Sequence, residues 1–118
     1  MIIKGSPFLL TGTFAATGQS VSVPVFGVFT ISVWGTPVNG NGTPGAFTGT
    51  LQVERSVDGG TTFLPASTDG TGSIAKYSAS TVVQGTEYLP DAVYRFNCIN
   101  YTSGTINYSL VGPGWLLE

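Results

Sequence analysis

Hydrophobic and polar side chains alternate with a period of two along most of this chain, the pattern of strands with one dry face and one wet face. It is sharpest in residues 46–65, AFTGTLQVERSVDGGTTFLP. There Phe47, Leu51 and Val53 share one parity, and Thr48, Thr50, Gln52 and Glu54 share the other. The stretch predicts a β-hairpin. Asp58-Gly59-Gly60 supplies its turn, because glycine takes positive φ without steric cost and an Asp side chain can bond nearby backbone. Residues 61–64 return along the first arm and stop at Pro65, which has no N–H to give a ladder.

The same alternation predicts further strands. Phe8, Leu10 and Phe14 share one side of residues 8–14. Val21, Val23 and Val25 alternate with Ser20, Ser22 and Pro24, which reads as a short edge strand because proline is tolerated there. Phe29, Ile31 and Val33 give a firm strand that ends at Trp34-Gly35. Residues 35–45, GTPVNGNGTPG, read as an irregular surface loop, and residues 67–73 as a second turn-rich stretch. Residues 74–79 predict a weaker strand, and residues 82–89 another, interrupted at Gly85. In the last third Tyr94, Phe96 and Cys98 share a parity, and Ile106, Tyr108 and Leu110 share one in the next segment. With Thr102-Ser103-Gly104 between them, residues 93–101 and 105–111 predict a second hairpin, after which residues 112–118 leave the sheet.

No window has helical periodicity. Seven to nine short strands separated by glycine-rich turns predict an all-β fold, an antiparallel β-sandwich of immunoglobulin-like or jelly-roll order. The length of 118 residues suits one such domain, residues 1–118.

Composition narrows the function. Charged residues make up 8% of the chain, against roughly 25% in ordinary soluble domains. The wet faces are therefore Ser, Thr, Gly and Asn rather than Lys and Glu. A net charge of −2 adds little repulsion, so the composition favours self-association or a place in an assembly. The cations Lys4, Arg55, Lys76 and Arg95 are scattered, which argues against nucleic acid, since phosphates need clustered Lys and Arg. Residues 1–5 are too short for a secretory signal, and no apolar run approaches membrane-spanning length, so a cytoplasmic origin and no membrane partner are expected.

No catalytic constellation emerges. Ser56, Asp58, Gly60, Thr62 and Phe63 fit the pattern S-x-D-x-G-x-T-[W/F], which resembles the Asp-box of sialidases and related β-propellers. In that family the motif is a folding turn: the Asp accepts backbone N–H bonds, the Gly permits the bend, and the aromatic packs beneath. Sialidase chemistry also needs an arginine cluster, and this chain has only Arg55 and Arg95. Glu54, Asp58, Asp69, Glu87, Asp91 and Glu118 read as solvated strand and turn residues. Around Asp69-Gly70 the oxygen donors are mainly hydroxyls, too weak a set for Ca²⁺, so neither metal nor cofactor is expected. Without any histidine to activate it, Cys98 reads as a buried inert thiol. Arg55 shares the parity of Leu51 and Val53, and Arg95 that of Val93 and Ile99. Each either meets a carboxylate or a neighbouring subunit, or extends its head to water from a strand end, and for Arg55, next to its turn, the last is expected. Trp34, Tyr77, Tyr88, Tyr101 and Trp115 read first as core or interface packing rather than as a sugar-stacking platform. Both ends are apolar. Ile2 and Ile3 in residues 1–5, and Trp115, Leu116 and Leu117 in residues 112–118, are candidate docking anchors, and Val38, Asn39 and Asn41 are candidate contacts on the adaptable loop.

The segments GTLQVERSVDGGTTFLP (residues 49–65) and VYRFNCINYTSGTINYSL (residues 93–110) together resemble a class of small tailed-bacteriophage virion proteins, with Phe63 where Trp is commoner. That resemblance implies a non-catalytic β-sandwich subunit of the capsid-decoration (cement) or tail-accessory kind. Its expected partners are itself, as a homotrimer, and the major capsid protein, and its place is the capsid surface of a virion built in a bacterial cytoplasm. A carbohydrate- or receptor-binding tail-fibre module and a tail or head–tail connector component are the alternatives.

Overall fold

The computed structural model describes residues 2–4, 6–38, 40–67 and 75–117, with backbone alone at 2–4 and 116–117. Among these the alternating segments become strands β1 (Ile2–Lys4), β2 (Phe8–Phe14), β3 (Gly18–Gln19), β4 (Val23–Pro24), β5 (Gly27–Gly35) and β6 (Thr48–Ser56). They continue as β7 (Leu64–Pro65), β8 (Lys76–Tyr77), β9 (Thr81–Glu87), β10 (Val93–Ser103), β11 (Ile106–Gly112) and β12 (Trp115–Leu117). Six of these twelve have seven residues or more, and the rest are two- or three-residue pieces.

Pairing is nested. β1 pairs β12, β2 pairs β11, β3 and β4 pair β10, β5 pairs β9, and β6 pairs β7 and β8, all antiparallel. The chain is thus one long double ribbon whose tip is the turn between β6 and β7, where the return arm expected at residues 61–64 is shortened to β7 and includes Pro65. Two further ladders, β11 on β5 and β10 on β6, roll the ribbon up. The product is two packed antiparallel sheets, β2-β11-β5-β9 and β3/β4-β10-β6-β7/β8. That is a β-sandwich, and its strand order is that of a jelly roll.

The inward parities meet as foreseen. Phe29, Ile31, Leu51, Val53, Phe96, Cys98, Ile106 and Leu110 are all but sealed from water, each large aliphatic or aromatic side chain contributing about 1.5–3 kcal/mol. Phe96 and Tyr108 join the two sheets with ring centroids 4.6 Å apart, and Phe29 meets Tyr94 at 5.4 Å.

Several expectations need correction. The strands at residues 93–101 and 105–111 exist, but they are not a hairpin: β10 and β11 lie in different sheets, and residues 104–105 cross between them. A parity pattern fixes which side chains share a face, not which strand lies alongside. The strand expected around Val21 is broken into β3 and β4, with Val21 exposed between them. β9 passes through Gly85 without interruption. Residues 112–118 do not simply leave the sheet, because β12 forms its own ladder with β1. That ladder lies against the start of β5, where Gly27 at φ 81° approaches the Trp115 carbonyl more closely than any Cβ would allow. Of residues 67–73 and 74–79, positions 68–74 fall outside the described residues, and only β8 represents the second stretch.

Candidate docking face

Alternation along β2, β5, β9 and β11 turns one side of each strand into the core and the other outward. The register stacks the outward residues in rows. Thr13, Asn107 and Trp34 form one row, and Thr11, Ser109, Ser32 and Val82 form the next. Leu9, Val111, Thr30 and Gln84 form a third, and Val28 stands beside Thr86. No outward residue is ionisable. Glu87, the only charged residue of the four strands, is buried at the end of β9. Four exposed aliphatic side chains, Leu9, Val28, Val82 and Val111, stud this otherwise hydroxyl-rich surface. Beside Trp34 a hollow opens between the sheet and the loop that follows β5, lined by Pro37, Gly42, Pro44 and Val82.

Among the described residues no strand pairs with the outer edges of this sheet. β2 and β9 each run seven residues without proline, and no lysine or arginine guards them. In the other sheet the edges are two-residue pieces, β3, β4, β7 and β8, with Pro24 and Pro65 among them. Short, proline-bearing edges resist pairing with other chains, whereas long uncharged ones invite it.

Both arginines and the two buried carboxylates lie on the other sheet and at the sandwich mouth. Glu54 is buried, contrary to the solvated position expected for it. One of its oxygens accepts Arg95 Nε at 2.7 Å, and the other accepts Gln52 Nε2 and Asn97 Nδ2, both at 3.0 Å. Arg95 sits on the outward side of β10, because Val93 and Ile99 belong to that side and Tyr94, Phe96 and Cys98 to the core. Its guanidinium lies 4.0 Å from the centre of the Phe63 ring. Glu87 is buried as well. It receives Arg55 through Nε and, at 2.9 Å, through Nη2, and also the Tyr94 hydroxyl and the Leu89 N–H, each at 3.0 Å. Arg55 is therefore paired with a carboxylate rather than ending free in water. From the inner side of β6 it crosses to the end of β9 and clasps the two sheets. Burial pushes the Glu87 carboxyl up, but Arg55, the Leu89 N–H and the Tyr94 hydroxyl outweigh it and hold the group below its ordinary value. Burial likewise raises Glu54, and Asn97, Arg95 and Gln52 more than offset it.

The turn at residues 56–63 has the geometry expected. Asp58 Oδ1 accepts the Ser56 hydroxyl at 2.7 Å and the N–H groups of Thr61 and Thr62 at 3.1 and 2.8 Å. Ser56 Oγ accepts the Gly60 N–H at 2.9 Å. These bonds, led by the Ser56 hydroxyl, draw Asp58 down to about 2. Gly59 and Gly60 take φ of 80° and 92°, and Phe63 covers Arg95 and the ion pair beneath it.

The proposed anchors at the two ends of the chain lie side by side. Ile2 faces Leu117 and Ile3 faces Leu116 in the β1–β12 ladder, so the two ends pair with each other within the chain. Trp115 is 38% exposed and Val38 87% exposed. Asn41 is exposed on the same loop as Val38, and Asn39 lies outside the described residues. Sequence reasoning missed Ser109, Thr11, Ser32 and Val82 as a surface. The available signal was the absence of any charge from residues 8–14, 27–35 and 106–112. Among the described residues no group of His, Cys, Asp and Glu is placed to hold a metal, and no helix is long and apolar enough to cross a membrane. Asp69 and Glu118 lie outside the described residues. Against known proteins, no family model, no curated protein and no solved structure matches the chain.

Proposed function

We propose that this protein is a non-catalytic structural subunit of a bacteriophage virion, a capsid-decoration protein that docks through the β2-β11-β5-β9 sheet. The observation that carries the reading is that sheet's outward face, free of charge and flanked by two open edges. The likeness of residues 49–65 and 93–110 to small virion proteins supports it, and the jelly-roll order, which recurs in viral capsid proteins, is compatible with it. Four strands about 4.8 Å apart and seven residues long give a footprint of roughly 450 Å². That is about half of the ~800 Å² each partner buries in a standard interface. The face alone makes a weak contact, and strength comes from adding edge pairing and many copies on a lattice. Open edges on opposite sides of one sheet suit a head-to-tail ring, which uses both, and a homotrimer is the ring proposed. Native mass spectrometry of the protein, alone and after incubation with shells lacking it, tests this. The expected result is a trimer that adds to shells in symmetry-matched numbers, and a monomer that ignores shells contradicts it.

The hollow beside Trp34 favours a second reading, a carbohydrate-binding module of a tail fibre, since an indole and aliphatic walls suit a sugar ring and lectins also use this fold. Saturable binding in a glycan screen, lost in Trp34→Ala, is its test.

A further inference from the structure

We propose that Asn41 is a site of spontaneous covalent modification, an intramolecular cyclisation that converts its amide to a carboxylate at the rim of the hollow beside Trp34. The inference rests on the loop alone and does not depend on what docks there. Asn41 is exposed and is followed by Gly42, which is itself exposed, carries no side chain to hinder attack by its own amide nitrogen, and stands at φ +80° with open space where a Cβ would be. The Thr43 N–H donates to Asn41 Oδ1 at 3.0 Å. That bond closes a ring that includes Gly42 and restricts rotation of the Asn41 side chain against its own backbone. It also draws electron density from the Cγ carbonyl and stabilises the oxyanion that forms when the carbonyl is attacked.

The step balances without any external oxidant or reductant. Water or hydroxide takes the Gly42 amide proton, the nitrogen bonds to Cγ, and the Cγ–NH2 bond breaks with loss of ammonia. The resulting succinimide takes up one water and opens at either carbonyl, to aspartate or to isoaspartate. The other asparagines among the strands are placed differently: Asn97 and Asn107 are half-buried with their Nδ2 atoms bonded, and Asn100 lies inside β10. None of them is followed by glycine. Each conversion adds one negative charge to a chain of net charge −2, and it does so where Gly42 lines the hollow.

The test is incubation of the intact folded protein at mildly alkaline pH, followed by peptide mapping with fragmentation that separates Asn41 from Asn39. The expected result is the mass gain of replacing NH by O at Asn41, at least about tenfold faster than at Asn97, Asn100 or Asn107, because those three are held in strands and followed by bulkier residues. The product should include isoaspartate, detected by isoaspartyl methyltransferase labelling, and Asn41→Gln should abolish the gain at that position. Conversion at Asn39 with none at Asn41, equal rates at all the asparagines, or no gain overturns the proposal.

Discussion

The outward sides of the two sheets are built from the same strand architecture and have opposite chemistry. On β2, β5, β9 and β11 the outward residues are Ser, Thr, Asn, Gln, Trp and four aliphatics, bounded by seven-residue edges. On β6 and β10 they include Gln52, Glu54, Arg95 and Asn97, wired to one another and roofed by Phe63, with edges cut to two-residue pieces. The second surface has satisfied its own polar groups and presents little for another chain to pair with. The first keeps open strand edges and no charge to repel a neighbour. The lesson is that in a chain this poor in charge, placement of the few ionisable residues sets which side stays available. Here both ion pairs serve the fold, one covering a sheet and the other clasping the sandwich mouth.

The largest effect should come from placing a charge on the neutral face. Ser109, flanked by Thr11 and Ser32, lies near its middle. Ser109→Arg should weaken association with itself or with shells about a hundredfold, since an unpaired or like-charged contact in an interface costs several kcal/mol. Thermal unfolding should be nearly unchanged, as for most surface substitutions. Binding at wild-type strength breaks the comparison.

The clasp should respond in the reverse way. Glu87→Ala removes the partner of Arg55 and should cost about 2–3 kcal/mol in denaturant unfolding, less than the ~3–5 kcal/mol of a fully buried pair because Arg55 is 33% exposed. Its association, measured well below its unfolding midpoint, should match wild type.

Acid should act through the same carboxylates. Glu54 and Glu87 are held below the ordinary value of 4.5 in the folded state, so the unfolded chain takes up protons first as pH falls. Their contribution is full above 4.5 and is lost as pH falls through the lowered values. Glu87→Gln should flatten that acid limb in a pH series of unfolding midpoints, and an unchanged limb counts against the clasp. The smallest effect is expected at the roof. Phe63→Ala uncovers Arg95 and should cost about 1 kcal/mol, seen as a modest drop in unfolding midpoint.

Much of this fold was legible in the sequence. The inward parities of β5, β6, β10 and β11 were readable residue by residue, and the turn was readable as far as the N–H bonds that Asp58 accepts, because both are local, though the bonds of the Ser56 hydroxyl were not. What was not legible is what distant segments do to each other. β10 and β11 look like a hairpin because they are adjacent, yet nested pairing sends them to different sheets. Arg55 and Glu87 are 32 positions apart, and Glu54 looks solvated until Phe63 and Arg95 fold over it. The neutral face was present in composition, but it became a surface only once β2, β11, β5 and β9 were known to lie side by side.

Amide hydrogen exchange, strand by strand, on the free protein and on the protein assembled on shells addresses the central claim most directly. The account expects the edge amides of β2 and β9 to gain protection on assembly while β3, β4, β7 and β8 keep their free-state rates. Protection gained by the short-edged sheet instead, or by neither sheet, contradicts it.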